Sequence, residues 1–312
     1  MSDQPAISAS GLRKAFGDNT VLDGIDISVP AGSVFALLGP NGSGKTTTVK
    51  ILSTLAQPDS GEIRIAGLDP ASDRDAICAR IGLTGQFAAV DTLLTGRENL
   101  TMVARLRHLP KHQAHERVEK LLADFDLVDA ADRRVAEYSG GMTRRLDLAM
   151  TLVGEPSIIF LDEPTTGLDP RSRRTVWETV RGLVARGTTI FLTTQYLEEA
   201  DHLADRIAVL DRGRIVAEGT AAELKQLVPG GHIRIGFADA DNCERARRAF
   251  SSSIDGQEEN SLAVPSEGGI GAIRDVLSTL DAAGIEATGI SVHTPDLDDV
   301  FLTITGRSAA TL

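Results

Sequence analysis

The sequence is short of the residues that would make several kinds of protein. Two cysteines occur among 312 residues, and neither Cys78 nor Cys243 stands in a C-x-x-C spacing. That excludes a disulfide framework and a cysteine-based zinc site as organising principles, and it fits a reducing compartment. Positive charge is in deficit: 32 Lys and Arg stand against 44 Asp and Glu, a formal net charge of -12. A protein that grips a phosphate backbone is normally basic, so nucleic acid is not the expected partner. No apolar run approaches the roughly 20 residues needed to cross a bilayer. The opening MSDQPAISAS lacks the apolar core of a signal peptide. Any role at a membrane is therefore expected to come through a partner chain.

What remains is a globular profile, 42% hydrophobic and 24% charged, long enough for one large domain and a smaller one. The stretch GPNGSGKTT, Gly39 to Thr47, dominates it. It fits G-x-x-x-x-G-K-[ST], with Gly39, Gly44, Lys45 and Thr46 at the fixed positions and Pro40, Asn41, Gly42 and Ser43 between. The apolar run 34–38 before it reads as a buried strand, and 47–55 after it as a helix. In that context backbone N–H groups close around phosphate oxygens, aided by the helix N-terminus. Lys45 is expected to reach the β- and γ-phosphates, and the Thr46 hydroxyl to hold Mg²⁺.

Upstream, 7–29 reads as strands around a turn at 16–19. Phe16 there could stack on a purine ring, though taken alone a core phenylalanine is the better reading. The alternating 61–66 adds a strand to the same sheet. A strand over 80–84 leads to Gln86, a polar residue just past a strand end. From 88 to about 153 the pattern is helical. Thr95 and Glu98 form a capping box, and Ala114, Val118, Leu121, Leu122 and Phe125 recur at helical spacing. Ser139, Gly140 and Gly141 open another helix. Alone they are equally an anion site or a serine cap with flexible glycines.

The run 157–161 reads as a buried strand ending in Asp162, Glu163 and Pro164. Two carboxylates at such a strand end are costly unless a cation or a proton uses them. Asp162 is the expected Mg²⁺ ligand, which leaves Glu163 to orient or deprotonate a water. The strand 188–194 ends at Gln195, which should point at the γ-phosphate and the attacking water. A hairpin over 207–217 and a helix after Thr220 follow. Composition shifts around 229–231, which sets the expected boundary between residues 1–228 and 229–312. The tail reads as a small α/β unit without a catalytic constellation, and Thr294 and Pro295 are expected to start its last helix.

The ordered set of Phe16, GPNGSGKTT, Gln86, SGG, IIFLDEP, Gly167-Leu168-Asp169 and Gln195 resembles the nucleotide-binding subunit of an ATP-binding-cassette (ABC) transporter. The resemblance covers about the first three-quarters of the chain. YSGGM, TTQYLEEAD (193–201) and LDDVFL (297–302) resemble the daunorubicin/doxorubicin-resistance type of drug-export ATPase. The resemblance implies an α/β fold: a P-loop NTPase core with an antiparallel β subdomain and a helical subdomain, plus a small C-terminal α/β domain. It implies ATP and Mg²⁺ as cofactors, a homodimer, a separate transmembrane permease and a place at the cytoplasmic face of the cell membrane.

By matching position, Phe16 is similar to the adenine-stacking aromatic, and Gln86 to the glutamine that contacts Mg²⁺ and reports nucleotide state. Ser139, Gly140 and Gly141 resemble the signature that contacts the γ-phosphate on the opposite protomer. Asp162 resembles the Mg²⁺ carboxylate, Glu163 the catalytic base, and Asp169 the aspartate that couples the two sites across the dimer. Gln195 stands where most of the superfamily carries histidine. An amide can hydrogen-bond a phosphate or a water but cannot become cationic. The cargo implied is a drug, an antibiotic or a lipid-like compound. Two other readings stay open: a soluble regulatory ATPase not coupled to transport, and a cassette protein acting on ribosomes or DNA. The single phosphate loop and the acidic balance disfavour the last.

Overall fold

The alternating stretch at the start of the chain forms a long hairpin, β1 (Ile7–Phe16) and β2 (Asn19–Val29). The strands pair antiparallel up to Phe16 opposite Asn19, and Gly17 at φ +60° supplies the left-handed turn. The computed structural model describes residues 4–85, 88–227, 231–250, 254–255, 260–266, 270–293 and 296–305. Gln86, Pro229, Gly230, Thr294 and Pro295 therefore lie outside the described residues. By packing, the chain divides into two units, Met1–Ala221 and Ala222–Leu312, a division upstream of the composition shift at 229–231.

In the first unit the fully apolar run becomes β3 (Val34–Leu38), every residue of it buried. Helix α1 (Lys45–Leu52) follows directly. It starts two residues earlier than the sequence suggests, because Gly44 in a left-handed conformation already serves as its N-cap. β4 (Ser60–Ile65) joins the hairpin in the order β2-β1-β4. Then come α2 (Arg74–Arg80) and β5 (Ile81–Thr84).

The helical segment contains α3 (Gly96–Leu106), α4 (Lys111–Asp124) and α5 (Gly140–Thr151). Thr95 and Glu98 make both bonds of the expected capping box. Leu100, Val118, Leu121, Leu122, Phe125, Leu146 and Ala149 are buried, so the helical periodicity does mark the packed face.

The chain returns through β6 (Ile158–Asp162), α6 (Pro170–Val184), β7 (Thr189–Thr194), α7 (Leu197–Leu203), β8 (Arg206–Asp211), β9 (Arg214–Gly219) and α8 (Ala221–Lys225). The main sheet runs β5-β6-β7-β3-β8-β9, parallel except for β9. Phe35 stacks on Phe191 at 5.5 Å, and Phe160 meets the same ring at 5.8 Å, which locks β3, β7 and β6 side by side. One core joins both sheets and α1, with Leu12, Leu22, Ile51, Leu52 and Ile65 packed on these rings' layer. Parallel strands place their carboxyl ends on one edge, where ligands of open α/β sheets bind. Gly39, Glu163 and Gln195 each follow directly on such an end.

The second unit is an antiparallel sheet with helices. β10 (His232–Gly236), α9 (Ala240–Ala249), β11 (Ile254–Asp255), β12 (Ser261–Pro265), α10 (Ile270–Ala283), β13 (Gly289–His293) and α11 (Leu297–Thr305) give the strand order β11-β12-β10-β13. Ile233, Ile235, Cys243, Ala246, Leu262 and Leu280 form its core. Helix α11 begins directly after Asp296, and the expected start at Thr294 and Pro295 lies outside the described residues. Asp296 accepts from the Asp299 amide at 2.9 Å, and Asp299 accepts from the Asp296 amide at 3.1 Å. Both cysteines are free thiols. No helix among the described residues is long and apolar enough to cross a membrane.

Candidate active site

The turn between β3 and α1 has to bend sharply without a side chain in its way. At Gly44, φ is +114°, and an added Cβ would lie 2.7 Å from the Leu22 side chain and 2.9 Å from the Val21 carbonyl. Only glycine satisfies both the angle and the space. The loop leaves Asn41, Gly42 and Thr46 exposed and buries Ser43 and Lys45. The Lys45 ammonium turns back into the loop. It donates to the carbonyls of Gly39 at 2.8 Å and Pro40 at 3.1 Å, and lies 3.2 Å from Glu163 Oε1. Ser43 Oγ is buried and has no hydrogen-bond partner among the described residues. A buried hydroxyl without a partner is rare in a native fold and marks a place where a polar ligand belongs.

At the end of β6, Asp162 and Glu163 are both buried. Asp162 Oδ1 accepts from Thr193 Oγ1 at 2.6 Å and from Thr46 Oγ1 at 3.3 Å. Thr46 thus belongs to two settings at once, the first turn of α1 and the acid at the end of β6. Glu163 adopts φ +49°, unusual for a residue with a long side chain. Its Oε2 accepts from Thr166 Oγ1 at 3.3 Å. Lys45, Thr46, Asp162 and Glu163 therefore meet at the ends of β3 and β6.

Gln195 is half-buried at the end of β7, beside β6, as the sequence suggests. It does not cap α7. The amide of the N-cap residue Tyr196 donates to Thr194 Oγ1 at 2.9 Å. Phe16 is 57% exposed, which removes the core-phenylalanine reading, and Lys14 Nζ lies 5.3 Å from its ring centre. Ser139 is the N-cap of α5, accepting from the Met142 amide at 3.3 Å, and Ser139 and Gly140 are exposed. Gly141 packs against α6 so closely that a Cβ would sit 2.5 Å from Ser172 Oγ. Asp169 caps α6 through the amides of Arg171 and Ser172, both at 3.0 Å. The Ser172 hydroxyl and these amides hold its carboxyl below the usual range.

Three groups at this edge were not singled out from the sequence. Thr193 is one. A second is Arg144, buried on α5, which donates to the carbonyls of Pro164 at 2.7 Å and Gly85 at 2.9 Å and to Asp147 at 3.1 Å. Its visible signal is an Arg and an Asp three apart between apolar residues of one helix, on the face the core claims. The third is Glu199, buried on α7, which accepts from Trp177 Nε1 at 3.1 Å. Burial pushes its carboxyl above the ordinary range, against the hydrogen bonds that favour the charged form.

A deep polar edge with an inward lysine, a partnerless serine and paired carboxylates can hold a polyphosphate and its cation. Comparison with known proteins agrees. Residues 22–166 match the ABC transporter family. The chain is 50% identical over 310 residues to the daunorubicin resistance ATP-binding protein DrrA2 of Streptomyces coeruleorubidus, covering 98% of this chain and 96% of that protein. It is 46% identical to the daunorubicin/doxorubicin resistance ATP-binding protein DrrA of Streptomyces peucetius, over 99% and 96% of the two chains. Among solved structures, the ATP-binding subunit of an ABC transporter superposes with a TM-score of 0.64 at 27% identity, covering 71% of this chain and 92% of that one. The chain belongs to the ATP-binding proteins of ABC transporters, in the group that includes the daunorubicin- and doxorubicin-resistance proteins.

Proposed function

We propose that this chain powers the export of an amphipathic drug or antibiotic, of the anthracycline kind, through a separate membrane subunit. It is an ATP-binding, ATP-hydrolysing subunit that uses Mg²⁺. The observation that carries the assignment of residues is the meeting of Lys45, Thr46, Asp162 and Glu163 at the ends of β3 and β6, two strands of one sheet with β7 between them, with Ser43 Oγ partnerless among the described residues. The loop from Gly39 to Thr47 wraps the phosphates, and Lys45 exchanges its carbonyl and Glu163 partners for phosphate oxygens. Thr46 and Asp162 hold the metal, which offsets phosphate charge when bound. Glu163, released from Lys45, takes a proton from the attacking water. Gln195 fixes that water and a phosphate oxygen through its amide. Phe16 offers an exposed ring to the adenine.

The exposed start of α5 gives the second half of the reading. Ser139 and Gly140 face outward at a helix N-terminus, where an anion is favoured. They serve the nucleotide of a second copy, with Asp169 beside them on α6, so the working form is a homodimer. Loss of the γ-phosphate contact loosens that interface, and the membrane subunit takes up the motion at the cytoplasmic face. Gln86 keeps its assignment as the reporter of nucleotide state.

The test is transport. Inverted membrane vesicles containing this chain and its co-expressed membrane subunit should accumulate daunorubicin on addition of Mg-ATP, and not with Glu163→Gln. Rapid ATP hydrolysis by a chain that stays in the soluble fraction, with no uptake when the membrane subunit is present, would leave the regulatory ATPase as the better reading.

A further inference from the structure

Thr193 is fully buried in β7, directly beside Asp162 in the parallel ladder. Its hydroxyl has two partners of opposite kind. It donates to Asp162 Oδ1 at 2.6 Å and accepts from the Glu163 amide at 3.1 Å. A carboxylate accepts and an amide donates, so the hydroxyl hydrogen must face Asp162 and a lone pair must face Glu163. The same amide also donates to the Thr193 carbonyl at 3.1 Å. Thr193 therefore grips the Asp162–Glu163 peptide with its backbone and its side chain at once.

That peptide needs a grip. Glu163 stands at φ +49°, a conformation that persists only where the surroundings enforce it. Thr193 lies beside Asp162 in the ladder, and Gln195 follows the end of β7 two residues on. The geometry points to Thr193 as a positioning residue for hydrolysis: one hydroxyl holds the Asp162 carboxylate against Thr46 and holds the Glu163 turn in its left-handed shape. This rests on the reading of Asp162 as the metal carboxylate and Glu163 as the base.

Three substitutions separate the hydroxyl from the packing. Thr193→Val keeps the shape without the hydroxyl, Thr193→Ser keeps the hydroxyl, and Thr193→Ala differs from the serine variant by that oxygen alone. Two quantities are measured on each full-length protein: kcat and KM for ATP, and the ratio of ATP affinity with Mg²⁺ to that with EDTA, by calorimetry. Thr193→Val should lower kcat by ~10-fold or more with KM within about 3-fold, and the Mg²⁺ enhancement of ATP affinity should shrink several-fold. Thr193→Ser should stay within about 3-fold of wild type on both. If the valine variant does not fold, the serine and alanine pair carries the same comparison. Wild-type kcat and Mg²⁺ enhancement in Thr193→Val would overturn the inference, as would a serine variant as impaired as alanine. Glu163→Gln measured alongside tells the two levels apart. If it stops turnover while Thr193→Val is normal, only the positioning role fails. If it hydrolyses normally, the base assignment itself falls and takes this inference with it.

Discussion

Glu163→Gln should lower the stability of the nucleotide-free protein and enlarge the stabilisation that ATP gives it. Lys45 Nζ and Glu163 Oε1 lie 3.2 Å apart, and both side chains are less than a tenth exposed. Coulomb attraction at that separation is ~5 kcal/mol at an effective dielectric constant of 20, before desolvation is subtracted. Removing one member of a buried pair typically costs ~3–5 kcal/mol, because the other charge is left behind. Lys45 keeps the Gly39 and Pro40 carbonyls, at 2.8 and 3.1 Å, and the new amide can still accept. Those acceptors reduce the cost to about 2 kcal/mol. For a domain of this size that corresponds to a melting temperature lower by roughly 4–8 °C. With Mg-ATP, phosphate becomes the counter-charge of Lys45 in both proteins, and the gap should close. The ATP-induced rise should then be larger in the variant by about the same amount. Thermal denaturation with and without Mg-ATP measures all four values. Hydrolysis should stop, and sedimentation should show an ATP-dependent dimer. Equal melting temperatures without nucleotide, together with equal shifts on adding it, would mean that the pair does not form in solution and would refute the reasoning.

Lys45→Ala should abolish tight ATP binding by calorimetry, since it removes the cation inside the loop; unchanged affinity would remove the phosphate-loop reading. Gln195→Ala should leave ATP affinity nearly intact and slow single-turnover hydrolysis by ~10²–10³. Gln195→His should retain some turnover and acquire a pH dependence where imidazole titrates. Glu199→Gln tests the buried acid on α7. Burial raises its carboxyl pKa in the folded state, so the stability it contributes is present below its unfolded pKa, ~4.3, and is lost as pH rises through the folded value. Urea denaturation should therefore show wild type losing stability relative to Glu199→Gln between about pH 4 and the upper end of that window; parallel pH profiles would contradict it.

The main sheet was legible because burial on both faces leaves little choice of residue. The runs 34–38, 157–161 and 188–194 became β3, β6 and β7 within a residue of their expected ends. Capping was legible where its donors and acceptors lie three apart, as at Thr95 and Glu98. At the last helix the reciprocal bonds between Asp296 and Asp299 show the same three-residue spacing, which sequence reading passed over in favour of Thr294. Phe16 could not be decided locally, because a ring at a hairpin tip is core or surface according to what the rest of the chain puts beside it.

The site itself divides along the same line. Residue types and their order locate Lys45, Asp162 and Glu163, but nothing local joins Lys45, at the start of α1, to Glu163, just past β6, with a whole helical segment between them. Thr193 is harder still: inside an apolar run a threonine looks like one more β-branched strand former. Its hydroxyl acquires meaning only when β7 lies in register with β6 and Thr193 falls opposite Asp162. Arg144 shows the same limit from the other side. Its charge on a buried helix face is visible in the sequence, and that charge demands partners. One partner, Asp147, is visible three residues on, but the others are the backbone carbonyls of Pro164 and Gly85, and backbone acceptors leave no mark on residue identity. The bond to Pro164 attaches α5, which carries the Ser139–Gly141 turn at its start, to the residue that follows Glu163. A displacement of that helix within one protomer must therefore strain or break a buried charge-assisted bond one residue from the proposed base.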